Sequence, residues 1–222
     1  MKVTWLGHAG IKIEDDGKII FIDPWLNGNP LAPIKVEDIK KADAVFVTHD
    51  HSDHGYSEAV EICKNTGATF VSIFELANSA KNDGVKNVLG GNIGGTAEVA
   101  GLKFIFTVAL HSSTVGTPIG FIIMLPTMTI YHPGDTGIFS DMKLLGELYD
   151  VDLAFLPIGS LFTMGPKEAA KALQLLNCQK AIPIHYKTFP VLVQDPKEFI
   201  EIAGPMIDVY VLEPGEEKEI GN

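Results

Sequence analysis

The chain has 222 residues, of which 46% are hydrophobic and 20% are charged, and this composition excludes intrinsic disorder and collagen-like structure. Its formal net charge of −11 makes nucleic acid an unlikely partner, because binding a polyanion requires a basic surface. The longest apolar stretch, residues 119–125, is far shorter than the ~20 residues that span a bilayer, so no membrane segment is expected.

A single domain over residues 1–222 is predicted, because neither a linker nor an internal repeat divides the sequence. The two cysteines are fewer than a small secreted protein normally carries. Residues 1–8 lack the apolar core of a signal peptide. These features together predict a cytoplasmic protein.

The predicted elements begin with short β-branched segments at 3–6, 11–14 and 18–22, with a hairpin turn at 15–17. The pattern then predicts a strand at 44–48, a helix at 57–65, a strand at 68–72 and a helix at 74–81. A second run of strands is predicted at 85–89, 96–99, 102–108, 121–124 and 128–131. The last third alternates between helices at 138–148, 166–176 and 196–203 and strands at 153–156, 181–184 and 208–212. The whole pattern predicts an α/β (α+β) fold of packed sheets covered by helices.

The most informative segment is Thr48-His49-Asp50-His51-Ser52-Asp53-His54. Three of the seven histidines lie within these residues, interleaved with two carboxylates and directly after an apolar strand. Imidazole is the commonest zinc ligand, and carboxylate complements it. Because histidine and aspartate are poor core residues, the pattern indicates a metal site. A polar surface turn is the alternative.

This arrangement, His-x-His-x-Asp-His at the end of a strand, resembles the signature of the metallo-β-lactamase superfamily. The resemblance implies a four-layer αβ/βα sandwich of two mixed β-sheets flanked by helices. More narrowly, the chain resembles small stand-alone metal-dependent hydrolases related to ascorbate-6-phosphate lactonase. The phrases that carry the narrower resemblance are Trp5-Leu6-Gly7-His8-Ala9, Ile22-Asp23-Pro24-Trp25-Leu26 and Phe162-Thr163-Met164-Gly165-Pro166.

The resemblance also implies a set of metal ligands, in which His111, Asp135 and His185 join the histidine-rich segment. One divalent ion would take His49, His51 and His111, and the other would take Asp53, His54 and His185. Asp135 would bridge the two ions. Zinc is the expected metal, with manganese or iron as alternatives, because mixed histidine and carboxylate sites accept all three.

Further side chains are expected around the ions. His8 is grouped with Asp53 and Asp135 as catalytic, since it could orient substrate or donate a proton; a structural turn histidine is the alternative. Asp23 is expected to orient the ligating imidazoles from outside. His132 is expected to do the same or to contact substrate. Lys187, two residues after His185, could meet an anionic substrate or be an ordinary solvated lysine.

The reaction implied by the resemblance is hydrolysis at a binuclear centre, in which a metal-bridging hydroxide attacks a small ester, lactone or phosphodiester. A nucleic-acid-processing nuclease of the same fold and a non-catalytic metal- or ligand-binding protein remain as alternatives. The expected partner is a small anionic substrate, and the sequence leaves room for a homo-oligomer.

Overall fold

The strands form two seven-stranded sheets in the computed structural model, which describes residues 1–221. The first six strands are β1 (Lys2–Trp5), β2 (Ile11–Asp15), β3 (Lys18–Ile22), β4 (Ala44–Phe46), β5 (Thr69–Ile73) and β6 (Val88–Gly91). The next six are β7 (Thr96–Val99), β8 (Leu102–Val108), β9 (Ile119–Met124), β10 (Thr129–His132), β11 (Leu153–Pro157) and β12 (Lys180–Ile184). The last two are β13 (Asp208–Val209) and β14 (Glu217–Glu219).

Each sheet is mixed, with an antiparallel part and a parallel part. The first sheet has the order β14-β1-β2-β3-β4-β5-β6 and is parallel from β3 to β6. The second has the order β13-β12-β11-β10-β9-β8-β7 and is parallel from β10 to β13. Within these registers, β1, β3 and β4 share one direction, and so do β8, β10 and β12.

The core lies between the two sheets and is built from apolar strand residues. Phe46 of β4 is fully buried and packs edge-on against Phe104 of β8 and Phe121 of β9, with ring centroids 5.2 and 5.1 Å apart. Edge-to-face aromatic pairs stabilise beyond the area that they bury. These rings therefore hold the first sheet to the second directly beneath the histidine-rich segment.

Five helices cover the outer faces of the sheets: α1 (Tyr56–Thr66), α2 (Phe74–Asn82), α3 (Met142–Tyr149), α4 (Pro166–Leu176) and α5 (Lys197–Ala203). Helices α1 and α2 contact β4, β5 and β6, while α4 contacts β11 and lies between α3 and α5. The arrangement confirms the predicted layering of two mixed sheets between helices. No helix among residues 1–221 is both long and apolar enough to cross a membrane.

Several element boundaries differ from the sequence-based prediction. β4 ends at Phe46 instead of residue 48, because the Thr48 N–H bonds to a side chain, that of Asp23, and not to a neighbouring strand. Helix α3 begins at Met142, four residues later than predicted. β14 was not predicted, since Glu217–Glu219 has no apolar alternation; backbone pairing with β1 and an ion pair between Lys2 and Glu217 at 2.8 Å hold it in place.

We expect replacement of Phe46 by alanine to lower the free energy of unfolding by about 3–5 kcal/mol, because it leaves a cavity between the sheets. The matched control is Phe74→Ala, whose ring is 54% exposed and whose loss we expect to cost less than about 1 kcal/mol. Denaturant unfolding of both variants would measure this difference. Equal losses would contradict the assignment of Phe46 to the inter-sheet core.

Candidate active site

The predicted site residues come from loops that leave both sheets at one common edge. Because strands that share a direction end at the same edge, the loops after β1, β3 and β4 meet there, as do those after β8, β10 and β12. From the first sheet these loops carry His8, Asp23 and the segment with His49, His51, Asp53 and His54. From the second sheet they carry His111, Asp135 and His185. The structure therefore brings together residues that are up to 177 positions apart.

Asp23 organises the histidine-rich segment from below. Its carboxylate accepts hydrogen bonds from the Thr48 N–H at 2.8 Å, the Thr48 hydroxyl at 2.7 Å and His54 Nδ1–H at 2.8 Å. Thr48 Oγ1 also lies 3.0 Å from His49 Nδ1, and it accepts from that nitrogen because its own proton goes to Asp23. Both imidazoles therefore direct Nδ1 toward these partners and Nε2 away from Asp23 and into the site. A buried carboxylate behind a ligating imidazole is the usual support of a metal ligand.

A tight turn orients the remaining residues of the segment. Ser52–His54 forms a single 3-10 turn, with the His54 N–H donating to the His51 carbonyl at 3.0 Å. Gly55 follows with φ +69°, and a Cβ on it would lie 2.4 Å from the backbone nitrogen of Trp25. Glycine at this position lets the chain reverse against the loop that carries Asp23.

Asp135 lies between the two sheets and faces three histidines. Its Oδ2 atom is 3.0 Å from His185 Nε2, 3.3 Å from His54 Nε2 and 3.6 Å from His111 Nε2. The preceding Gly134 has φ +63°, and a Cβ there would lie 2.8 Å from the Thr48 side chain. This close approach brings the Asp135 loop against the histidine-rich segment.

His111 lies three residues beyond the end of β8, in a loop fixed from two sides. The N–H of Leu110 donates to Thr136 Oγ1 at 2.9 Å, and that of Thr114 donates to Asp50 Oδ1 at 2.8 Å. These two hydrogen bonds replace strand pairing there, so the imidazole is held against His49 and His51, with ring centroids 5.1 Å away from each.

The side chains form three overlapping groups whose nitrogen and carboxylate atoms lie within 4.8 Å of one another. The groups are His49-His51-His111, His49-His54-Asp135 and His8-Asp53-His54-His185. Among residues 1–221, the buried atoms His8 Nε2, His54 Nε2 and Asp135 Oδ1 have no hydrogen-bond partner. Buried polar atoms normally have hydrogen-bond partners. The three unpaired atoms are therefore consistent with bound cations.

Burial and the carboxylates of Asp23 and Asp135 govern the electrostatics of the cluster. Burial would raise the pKa of Asp135, but the facing His185 and His54 hold it well below its usual range. The pKa of His54 is raised well above its usual value, because Asp135 and Asp23 together outweigh the effect of its burial. Burial lowers the pKa of His49 to about 2, so this imidazole is neutral at pH 7, as a ligand must be.

Two other predicted residues, His132 and Lys187, do not belong to these three groups. His132 is fully buried outside the cluster, and its Nε2 lies 3.1 Å from the Ala9 carbonyl while its Nδ1 accepts the Gly134 N–H at 3.2 Å. It therefore supports the loops on both sides of the site. The Lys187 ammonium pairs with Glu213 at 3.0 Å.

The sequence analysis predicts no role for Thr48, although a hydroxyl next to the first histidine is a readable signal. It predicts none for Asp50 either, because the bond of Asp50 to the loop of His111 has no local signal in the sequence. Thr188 was missed as well: its Oγ1 lies 2.9 Å from His8 Nδ1, and a contact across 180 positions leaves no trace in the sequence.

A cavity of about 350 Å³ opens onto the cluster. Its lining is His51, Asp53, His111, Ser112, Asp135, Phe162 and His185. Phe162 is 54% exposed at the cavity wall, and its neighbour Leu161 is also exposed. The cavity therefore combines a polar floor of candidate metal ligands with an apolar wall.

Comparison with known proteins identifies the relatives of this chain. A family model described as "Beta-lactamase superfamily domain" matches residues 2–185. A UPF0173 metal-dependent hydrolase of Methanopyrus kandleri is 51% identical, over 99% of this chain and 100% of its own length. Another from Caldivirga maquilingensis is 52% identical over 96% of each chain. The solved structure of Igni18, a metallo hydrolase from Ignicoccus hospitalis, has a TM-score of 0.90 and 41% identity, covering 99% of this chain and 98% of that one.

We expect Asp23→Asn to weaken metal binding by about 10- to 100-fold, because an amide cannot accept all three hydrogen bonds that orient His49 and His54. The matched control is Asp50→Asn, in which an amide oxygen can still accept the Thr114 N–H. For that variant we expect a change within about threefold, as for a surface substitution. Competition with a chromophoric chelator would measure both affinities, and equal effects would contradict the role of Asp23.

Proposed function

The chain belongs to the β-lactamase superfamily and is a metal-dependent hydrolase, and from this premise we propose that it uses two divalent ions to cleave a small, uncharged ester or lactone. The observation that carries the two-ion proposal is the position of Asp135. Its Oδ2 atom lies 3.6 Å from Nε2 of His111 and 3.3 and 3.0 Å from Nε2 of His54 and His185, so it is close to both groups of candidate ligands. Zinc is the proposed metal, since imidazole nitrogens dominate the donor set, with manganese or iron as alternatives.

Two bound ions would supply a hydroxide nucleophile at neutral pH and polarise the substrate oxygen. The side chains of this chain would orient the imidazoles and the substrate. Asp23 and Thr48 hold the imidazoles of His49 and His54 in one orientation. Phe162 offers an apolar surface at the cavity wall, against which the non-reacting part of a substrate can pack and be oriented.

The charge of the substrate follows from where the lysines lie. All 17 basic side chains of the chain are lysines, so the bidentate guanidinium contacts that favour phosphate are absent from the sequence. The cavity lining includes no lysine among the described residues, and Lys187 pairs with Glu213. We therefore propose an uncharged substrate in place of the anionic one that the sequence indicated, and an ester or lactone in preference to a phosphodiester.

This proposal predicts a preference between two substrates that differ by one group. These are p-nitrophenyl hexanoate and the p-nitrophenyl monoester of adipic acid, which carries a carboxylate where the first has a methyl group. We expect kcat/KM for the neutral ester to be at least about tenfold higher, because the cavity wall offers the carboxylate no partner. Release of p-nitrophenol measures both reactions, with bis(p-nitrophenyl) phosphate as a third substrate.

The control for these assays is Asp135→Asn, which should abolish turnover if the two-ion centre performs the reaction. A preference for the carboxylate ester or the phosphate diester would overturn the uncharged substrate. Bound metal without turnover of any of these substrates, or of a lactone panel, would instead favour a non-catalytic binding protein. A nuclease would require salt-dependent RNA binding, which the net charge of −11 opposes.

A separate prediction concerns the apolar wall of the cavity. We expect Phe162→Ala to raise KM for p-nitrophenyl hexanoate by about tenfold, with a smaller change for p-nitrophenyl acetate, because the longer chain loses its packing surface. The matched control is Leu148→Ala in α3, whose side chain is 68% exposed outside the cavity lining. If both variants behave alike, Phe162 does not contact the substrate.

Both cysteines, Cys63 and Cys178, are buried free thiols, which supports the proposal of a cytoplasmic location.

A further inference from the structure

We propose that His8 is itself a metal ligand, binding through Nε2 the ion that Asp53, His54 and His185 hold. The inference rests on the proposed two-ion function, and it adds a residue that the superfamily resemblance does not include among the ligands. His8 is fully buried, and its Nε2 lies 3.2 Å from Asp53 Oδ2. Its ligand atom falls within 4.8 Å of those of all three other residues.

The hydrogen bond on the far side of the ring determines which nitrogen is free. His8 Nδ1 lies 2.9 Å from Thr188 Oγ1, and the Thr188 hydroxyl lies 3.2 Å from the Tyr186 carbonyl. The Thr188 hydroxyl has one proton, and when that proton goes to the Tyr186 carbonyl, the hydroxyl oxygen accepts from His8 Nδ1. In this tautomer His8 carries its proton on Nδ1, which leaves Nε2 with a free lone pair.

That lone pair faces a carboxylate with no proton between them. Two acceptors 3.2 Å apart repel each other, and among residues 1–221 no group donates to His8 Nε2. A divalent cation beside both atoms turns this repulsion into two attractive contacts. His54 shows the same arrangement, with Nδ1–H directed to Asp23 and Nε2 directed to Asp135 at 3.3 Å. The two histidines are thus prepared in the same way.

The backbone holds His8 rigidly in this position. Its φ of 54° lies in the left-handed region, which is uncommon for a residue other than glycine. Its carbonyl accepts hydrogen bonds from the Trp5 indole N–H and from the His185 N–H, both at 2.9 Å. The second of these ties His8 directly to another ligand of the same ion. Uncommon backbone conformations that are fixed in this way concentrate at functional sites.

A positioning role is the alternative, in which His8 carries its proton on Nε2 and donates it to Asp53. The two roles predict different behaviour for His8→Gln, whose amide N–H can reach toward Asp53 but whose side chain provides no imidazole. As a ligand, His8 cannot be replaced by glutamine. As a donor to Asp53, it can be replaced at least in part. His8→Ala removes both capacities and serves as the reference.

The experiment is titration of the metal-free wild type and variants with Zn²⁺ under chelator competition and with Co²⁺ under visible spectroscopy. We expect about two ions per wild-type chain. Both His8→Gln and His8→Ala should lower the affinity for one of the two ions by about 100-fold. Both should also change the intensity of the Co²⁺ absorption, which reports coordination number. Circular dichroism of each metal-free variant checks that it is folded.

Thr188 provides a matched pair that leaves the imidazole in place. We expect Thr188→Val to lower the affinity for the same ion by about tenfold, because His8 Nδ1–H loses its acceptor. We expect Thr188→Ser to keep the wild-type affinity. Two ions bound with wild-type affinity by His8→Gln would overturn the ligand role and favour the positioning role. A wild type that binds no ion would instead refute the proposed two-ion function, so the two failures are distinguishable.

Discussion

The site depends on one buried carboxylate, that of Asp23. It is fully buried, and it accepts three hydrogen bonds that fix Thr48 and His54 directly and His49 through the Thr48 hydroxyl. Imidazole binds a metal well only when its proton is on the nitrogen facing away from the ion. By accepting those protons, directly or through one hydroxyl, Asp23 orients both rings so that their Nε2 atoms point inward. The strand ends supply the positions of the ligands, and this carboxylate supplies their orientation.

A second constraint is that neither sheet contains the site alone. The first sheet contributes the histidine-rich segment and the second contributes His111, Asp135 and His185, so the ligands converge only when the sheets are packed. The aromatic contacts of Phe46 beneath the site and the backbone hydrogen bond from His185 to His8 above them join the two halves. Core packing and ligand geometry are therefore parts of one arrangement.

The sequence predicted the layering, and it singled out the His49–His54 segment, because both signals are local. Alternating strands and helices follow from short-range hydrophobic periodicity, and the His49–His54 segment is recognisable by its spacing alone. His111, Asp135 and His185 were found through the resemblance to a known family and the order of residues along the chain. Tertiary contacts could not be predicted from the sequence. The pairing of Lys187 with Glu213, the hydroxyl of Thr188 behind His8 and the addition of β14 to β1 each join distant segments by contacts that no local pattern encodes.

The spread of the ligands along the chain has a consequence for the order in which the protein is made. A ribosome synthesises the His49–His54 segment well before it reaches His185 and Thr188. The nascent chain thus presents several imidazoles and carboxylates in one short loop while the second sheet does not yet exist. An ion captured at that stage would have only part of its coordination shell. In the proposed two-ion site, binding of both ions would therefore require the finished chain, with one sheet docked onto the other.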